Sequence, residues 1–97
     1  MTIQSFRQFQ LKDFIETGRI PKNCPWQSVA KIALRKLDML NYAKDLRDLA
    51  AFPGNKLEAL KGDLVGLYSI RVNDQWRIVF KWSGKGPAEV EIIDYHF

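Results

Sequence analysis

The spacing of apolar residues changes once along this chain, near Pro53-Gly54, and that change limits the fold more than any other feature. Before it the period is helical. Val29, Ala33, Leu37 and Leu40 recur at intervals of four, four and three, with Ala30 and Leu34 beside them and Lys31, Arg35 and Asp38 between. After it the period is two. Tyr68, Ile70 and Val72 alternate with Ser69 and Arg71, and Trp76, Ile78, Phe80 and Trp82 alternate with Arg77, Val79 and Lys81. Helices followed by strands imply an α+β fold, with the helices packed on one face of a small twisted antiparallel sheet.

The punctuation fills in this outline. Ile3 to Phe6 reads as a short first strand. Phe6 to Thr17 is loosely helical through Phe9/Phe14 and Leu11/Ile15, and Gly18 is its stop. Arg19 to Pro25 is a connector broken by two prolines, and Trp26 to Tyr42 is the main helix. Asp45 and Asp48 open a short further turn that faces Leu46 and Leu49 inward. Leu57 to Leu60 and Val90 to Tyr95 supply further strands. The breaks fall at Gly62-Asp63, Asn73-Asp74-Gln75 and Gly84-Lys85-Gly86-Pro87. A chain of 97 residues fits one domain, residues 1–97, with a shallow surface site rather than an enclosed cavity.

Register links this fold to chemistry. If Val72 pairs with Trp76 across a three-residue turn, Ile70 faces Ile78 and Tyr68 faces Phe80, so the large apolar residues share one side. A two-residue turn would set Ile70 beside Arg77 and mix the faces. The preferred register also places Arg71 opposite Arg77, with Lys81 further along, and predicts a cationic side facing out. Like charges directly opposite are mildly unfavourable. Such arginines are commonly just the wet face of a sheet; phosphate binding is the sharper reading. Lys31, Arg35 and Lys36 read as the solvated side of the main helix, and Trp76, Phe80 and Trp82 as core.

The net charge of +4 favours anionic partners such as nucleic acid. One cysteine, Cys24, and one histidine, His96, offer no disulfide framework and no metal-ligand spacing. No apolar run suggests a signal peptide or a membrane span, so a cytoplasmic protein without membrane contact is expected. His96 stands in Asp94-Tyr95-His96-Phe97. In an extended chain Asp94 and His96 share a side, so the carboxylate can orient the imidazole. The bland alternative is a solvated tail. RNA cleavage without a metal needs a base for the 2′-hydroxyl proton, an acid for the leaving 5′-oxygen, and cations for the pentacovalent phosphate. His96, Asp94, Arg77, Arg71 and Lys61 are the right types.

The same residues carry a resemblance. Pro53 to Asp63 (with Leu60-Lys61-Gly62-Asp63), Gly66 to Ile78, and the closing Asp94-Tyr95-His96 are similar to the HigB, or killer-protein, family of plasmid-maintenance toxins in the RelE/ParE superfamily. The resemblance spans nearly the whole chain. It implies a RelE-like fold, a type II toxin–antitoxin system, and ribosome-dependent cleavage of mRNA in the A site with no cofactor. It also implies a cognate HigA-like helix-turn-helix antitoxin as partner, beside the ribosome and mRNA, with operator DNA reached only through that antitoxin. On this reading Lys61 and Arg77 clamp the scissile phosphate, and Asp94, Tyr95 and His96 form the catalytic triplet. Arg71, Lys56, Lys81 and Asn73 are further RNA contacts. Two positions depart from the pattern of some members: Glu58 stands where they carry histidine, and Asn73 where they carry arginine. These departures predict a weaker toxin or one with different cleavage preferences, with Arg71 replacing part of the missing charge.

Two other functions fit the same fold. One is a ParE-like binding toxin that inhibits another target such as gyrase. The other is a weakly active toxin whose main task is operon repression with its antitoxin. The Asp94-Tyr95-His96 ending favours the nuclease, because a pure binder has no need of it.

Overall fold

The computed structural model describes residues 2–94; Met1 and Tyr95, His96 and Phe97 fall outside it. In chain order the elements are α1 (Gln10–Thr17), α2 (Ala30–Tyr42), α3 (Leu46–Ala50), β1 (Glu58–Ala59), β2 (Leu67–Arg71), β3 (Trp76–Ser83) and β4 (Gly86–Asp94). Short 3-10 turns stand at Gln27–Val29, Pro53–Asn55 and Gly62–Leu64. The strands form one antiparallel sheet in the order β1-β2-β3-β4. The α+β fold read from the change of period is the one found.

Helix α1 begins later than its sequence pattern. Phe9 lies before it and is 83% exposed, so Leu11 and Phe14 alone carry its buried face. Gly18 ends it in the left-handed conformation at φ 75°, its N–H donating to the Phe14 carbonyl at 2.8 Å. Helix α2 follows a 3-10 turn and buries Ala33, Leu37 and Leu40 completely. Lys36 is buried with them, only 7% exposed, and is not on the solvated side where the sequence reading put it. The positions explain this: 33, 36, 37 and 40 form an i, i+3, i+4, i+7 stripe, so the lysine must turn inward. A capping box starts α3, with Asp45 accepting from the Arg47 amide at 2.7 Å and Asp48 from the Asp45 amide at 3.3 Å.

The sheet sets Ile70, Ile78, Phe80, Val90 and Ile92 against Leu11, Phe14, Ala33, Leu37 and Leu40. The Tyr68 and Phe80 rings stack at 6.2 Å. The β2–β3 register is the predicted one, with Ile70 opposite Ile78, Tyr68 opposite Phe80 and Arg71 opposite Arg77. Burial of one face enforces it. The turn locks it: Asn73 Oδ1 accepts from the Gln75 amide at 2.9 Å and the Trp76 amide at 2.6 Å, and the Val72 amide donates to the Trp76 carbonyl at 2.9 Å.

β4 begins at Gly86, four residues before the expected start, and Pro87 stands within it opposite Trp82. A bulge between the Val79 and Lys81 pairings absorbs the extra residue, with Glu89 left-handed at φ 51°. Ile3 to Phe6 makes no strand of its own. It runs parallel along β4, where the Gln4 amide donates to Pro87 O at 2.8 Å, the Val90 amide to Ser5 O at 3.1 Å and the Arg7 amide to Val90 O at 2.9 Å. That cover removes an open sheet edge. It also demands a glycine: Gly86 has φ 131°, and a Cβ there would stand 2.5 Å from the Thr2 carbonyl oxygen. Among the described residues no helix is long and apolar enough to cross a membrane.

Candidate active site

β2 and β3 turn Ser69, Arg71, Arg77, Val79 and Lys81 away from the helices, and the edge strand β1 sets Glu58 opposite Ser69. Arg77 lies at the centre of this face and is only 6% exposed. Its Nε donates to Ser69 Oγ at 2.8 Å, and its Nη2 donates to the Lys56 carbonyl at 2.7 Å. Glu58 Oε1 stands 3.9 Å from that Nη2, with 45% of its side chain exposed. The guanidinium is thus gripped by the sheet on one side and by the segment leading into β1 on the other. Lys56, which supplies the carbonyl, follows the Pro53–Asn55 turn in the left-handed conformation at φ 43°.

Arg71 turns elsewhere. Its Nη2 donates to Asp74 Oδ1 at 2.5 Å. That bond, with the charges of Arg71 and Lys56, holds the Asp74 carboxyl below the usual carboxylate range. The opposition of two arginines is relieved because each guanidinium has its own acceptors.

This corrects the expected open cationic face. Arg77 is buried, Ser69 and Val79 are buried beside it, and Glu58 and Glu91 share the same side of the sheet. The backbone carbonyl and carboxylate at 56–58 draw Arg77 down, which strand alternation alone does not foresee. Lys81 stands opposite Leu67 and Ala88. It is four residues along β3 from Arg77, roughly 13 Å at the usual strand rise, and so lies outside the cluster.

The remaining candidates divide. Lys56 joins the cluster through its carbonyl, and Lys61 is exposed just beyond β1, at the Gly62–Leu64 turn. The Asn73 oxygen is committed to the hairpin, so the part the structure shows for it is to hold the turn. Asp94 pairs opposite Trp76, and its Oδ2 accepts from Gln75 Nε2 at 3.0 Å. Its neighbour Ile93 is the residue opposite Arg77, so alternation sets the Asp94 and Arg77 side chains toward different faces at the same end of the sheet. Tyr95 and His96 lie outside the described residues.

Glu58 is the residue that sequence reasoning undervalued, by treating it as a missing histidine. The signal was its place as the one charge within the apolar Leu57 to Leu60 strand, where it has to face outward. A fixed guanidinium beside an accessible carboxylate suits a phosphodiester whose neighbouring hydroxyl must lose a proton. Among the described residues no three His, Cys, Asp or Glu side chains gather as a metal site.

The family model described as "RelE-like toxin of type II toxin-antitoxin system HigB" matches residues 4–96. Toxin HigB-1 of Vibrio cholerae is 39% identical over 91 residues, covering 94% of both chains. Endoribonuclease HigB of Proteus vulgaris is 34% identical over 94 residues, covering 97% of this chain and 99% of that one. Among solved structures, a YoeB/ParE toxin from Agrobacterium tumefaciens superposes over the full length of both chains with a TM-score of 0.54 at 24% identity. A chain of the YoeB-YefM complex from Staphylococcus aureus gives 0.57 at 21% identity, covering 98% of this chain and 95% of that one. At these identities the structures show a shared RelE-like fold.

Proposed function

Because the chain belongs to the HigB-like family of RelE-like toxins from type II toxin–antitoxin systems, we propose that it is an endoribonuclease that cuts mRNA in the ribosomal A site on the outer face of its sheet. One observation carries the reading: Arg77 is fixed at hydrogen-bond distance from two acceptors while Glu58 beside it stays accessible. In the proposed reaction Glu58 takes the proton of the 2′-hydroxyl, and the freed oxygen attacks the adjacent phosphorus. Arg77, with Lys56 and Lys61, stabilises the pentacovalent phosphate, and Arg71 adds charge. At the end of the sheet where Asp94 stands on the other face from Arg77, His96, its imidazole oriented by Asp94, protonates the departing 5′-oxygen, and Tyr95 orders the reacting nucleotide. The products are a 2′,3′-cyclic phosphate and a 5′-hydroxyl end. The toxin acts in the cytoplasm and is neutralised by a cognate antitoxin, a partnership supported by the heterotetrameric YoeB-YefM toxin-antitoxin complex of the same fold, and on this reading the antitoxin is of the helix-turn-helix class.

The test is a translation system programmed with a defined mRNA, with 5′ ends mapped for the wild type, Glu58→Gln and His96→Gln. The wild type should cut inside translated codons. Each variant should lose about 10²- to 10⁴-fold, the usual contribution of general acid–base catalysis. Growth arrest by the wild type without new mRNA ends would point to a binding toxin of the gyrase-inhibiting kind. Full activity in both variants would remove the assigned base and acid.

A further inference from the structure

We propose that Lys36, a buried residue of α2, is a positioning residue of the RNA-cleaving site: through Asn55 it fixes the Lys56 carbonyl that orients Arg77. The proposal rests on the nuclease reading above and extends it to a side chain that stands among the core residues of the helix layer.

The linkage is short. Lys36 Nζ donates to Oδ1 of Asn55, which is completely buried, and Asn55 Nδ2 donates to the Leu49 carbonyl at 3.0 Å. The Pro53–Asn55 turn is thereby tied to both α2 and α3. The next residue, Lys56, is held left-handed and presents its carbonyl to Arg77 Nη2. Two residues further on, Glu58 enters β1. A shift of the turn therefore moves an acceptor of Arg77 and the neighbouring carboxylate together. Without the anchor, the guanidinium keeps its Ser69 contact from the sheet and loses the fixed second point that sets its plane.

The choice of lysine also needs a reason. Burying an ammonium is unfavourable unless it is paired with an acid. No acidic side chain pairs with Lys36 among the described residues, and the charges that face it are those of Arg35 and Arg71, both positive. Burial first, then these charges, push its pKa below the ordinary lysine value. Methionine would fill the same space without either penalty. A local rule broken at such cost is expected where a site needs the group, and here its polar contact among the described residues is the anchor of the Arg77 acceptor loop.

Two readouts test this. The first is the side-chain Nη2–Hη2 NMR signal of Arg77, from the nitrogen that donates to the Lys56 carbonyl, identified by its disappearance in Arg77→Lys. The wild type should show a separate, slowly exchanging signal, and Lys36→Met should speed its exchange at least about tenfold, as local opening does. The second is cleavage on the ribosome. Lys36→Met should lower kcat by roughly tenfold to a hundredfold, the scale of a slight misplacement of a reacting group, with KM and folded fraction retained. In the Arg77→Lys background it should add no further loss, because the group it positions is already gone. An unmoved Arg77 signal, or the same fold-loss in both backgrounds, would overturn the proposal. If the wild type cuts no RNA, the nuclease reading fails while the NMR signal still decides the linkage. If Lys36→Met does not fold, Lys36→Gln, polar but too short to reach Asn55, is read in the same way.

Discussion

Arg77→Lys keeps the positive charge and removes the fork, so it isolates what the geometry of the guanidinium does. In the structure two different nitrogens of Arg77 reach Ser69 Oγ at 2.8 Å and Lys56 O at 2.7 Å. A lysine ammonium is a single point and can serve one of these acceptors from the same place, not both. The lost contact is a buried, charge-assisted hydrogen bond, worth about 1.5–3 kcal/mol, and Ser69 is too deeply buried for water to replace the donor. We expect destabilisation of about 2 kcal/mol. Against the usual domain stability of about 5–15 kcal/mol, nearly all molecules remain folded. Loss of one oriented donor from a transition-state site, by contrast, lowers kcat by about 10²- to 10³-fold. The two effects are therefore separable by measuring urea denaturation beside initial cleavage rates on ribosome-bound mRNA. A cleavage rate within a few-fold of wild type would refute the reasoning, because a bare charge would then suffice. So would a rate loss no larger than the loss of folded protein.

Two further outcomes follow from local geometry. Gly86→Ala must place a Cβ 2.5 Å from the Thr2 carbonyl at φ 131°; we expect a loss of about 1–3 kcal/mol and faster exchange of the Val90 amide, and an unchanged urea midpoint would show that the N-terminal segment yields freely. Lys36 has a folded pKa below the ordinary 10.5. Below that folded value both states are protonated and the burial penalty is constant; above it the folded form has shed a proton that the unfolded form keeps until about 10.5, so stability rises with pH across that window. Wild type should gain on Lys36→Met there, and a pH-independent difference between the two would contradict the assigned shift.

What was legible in the sequence was local. The Gly18 stop, the Asp45/Asp48 cap and the Asn73 turn each depend on a few adjacent residues, and the Ile70/Ile78 register follows from which side chains must be dry. The opposition of Arg71 and Arg77 was legible for the same reason. Where the two guanidiniums point was not, because an acceptor of Arg77 is a carbonyl 21 positions away. Alternation gives a side and not a distance, so it grouped Lys81 with residues well down the strand. Placing the start of β4 at Val90 hid its pairing with β3, and with it the fact that Ile93, not Asp94, stands opposite Arg77. Lys36 was misplaced because its charge was weighed before its position in the apolar stripe.

A chain of 97 residues buries a modest core, and a charge on an open sheet face is weakened by water and salt. The structure reconciles these constraints by burying the cation instead of the substrate. Arg77 is sunk between Ser69 and the 56–58 segment, and among the described residues no buried side-chain polar atom lacks a partner. Such a network holds its dipoles in place before a phosphate arrives, which is the condition under which electrostatic stabilisation acts without reorganisation. Glu58, the proposed base, remains half open beside it. An enzyme built this way supplies orientation and charge but little grip. That suits a substrate strand held by a larger machine, and it is the physical reason for preferring ribosome-bound mRNA to free RNA as the target.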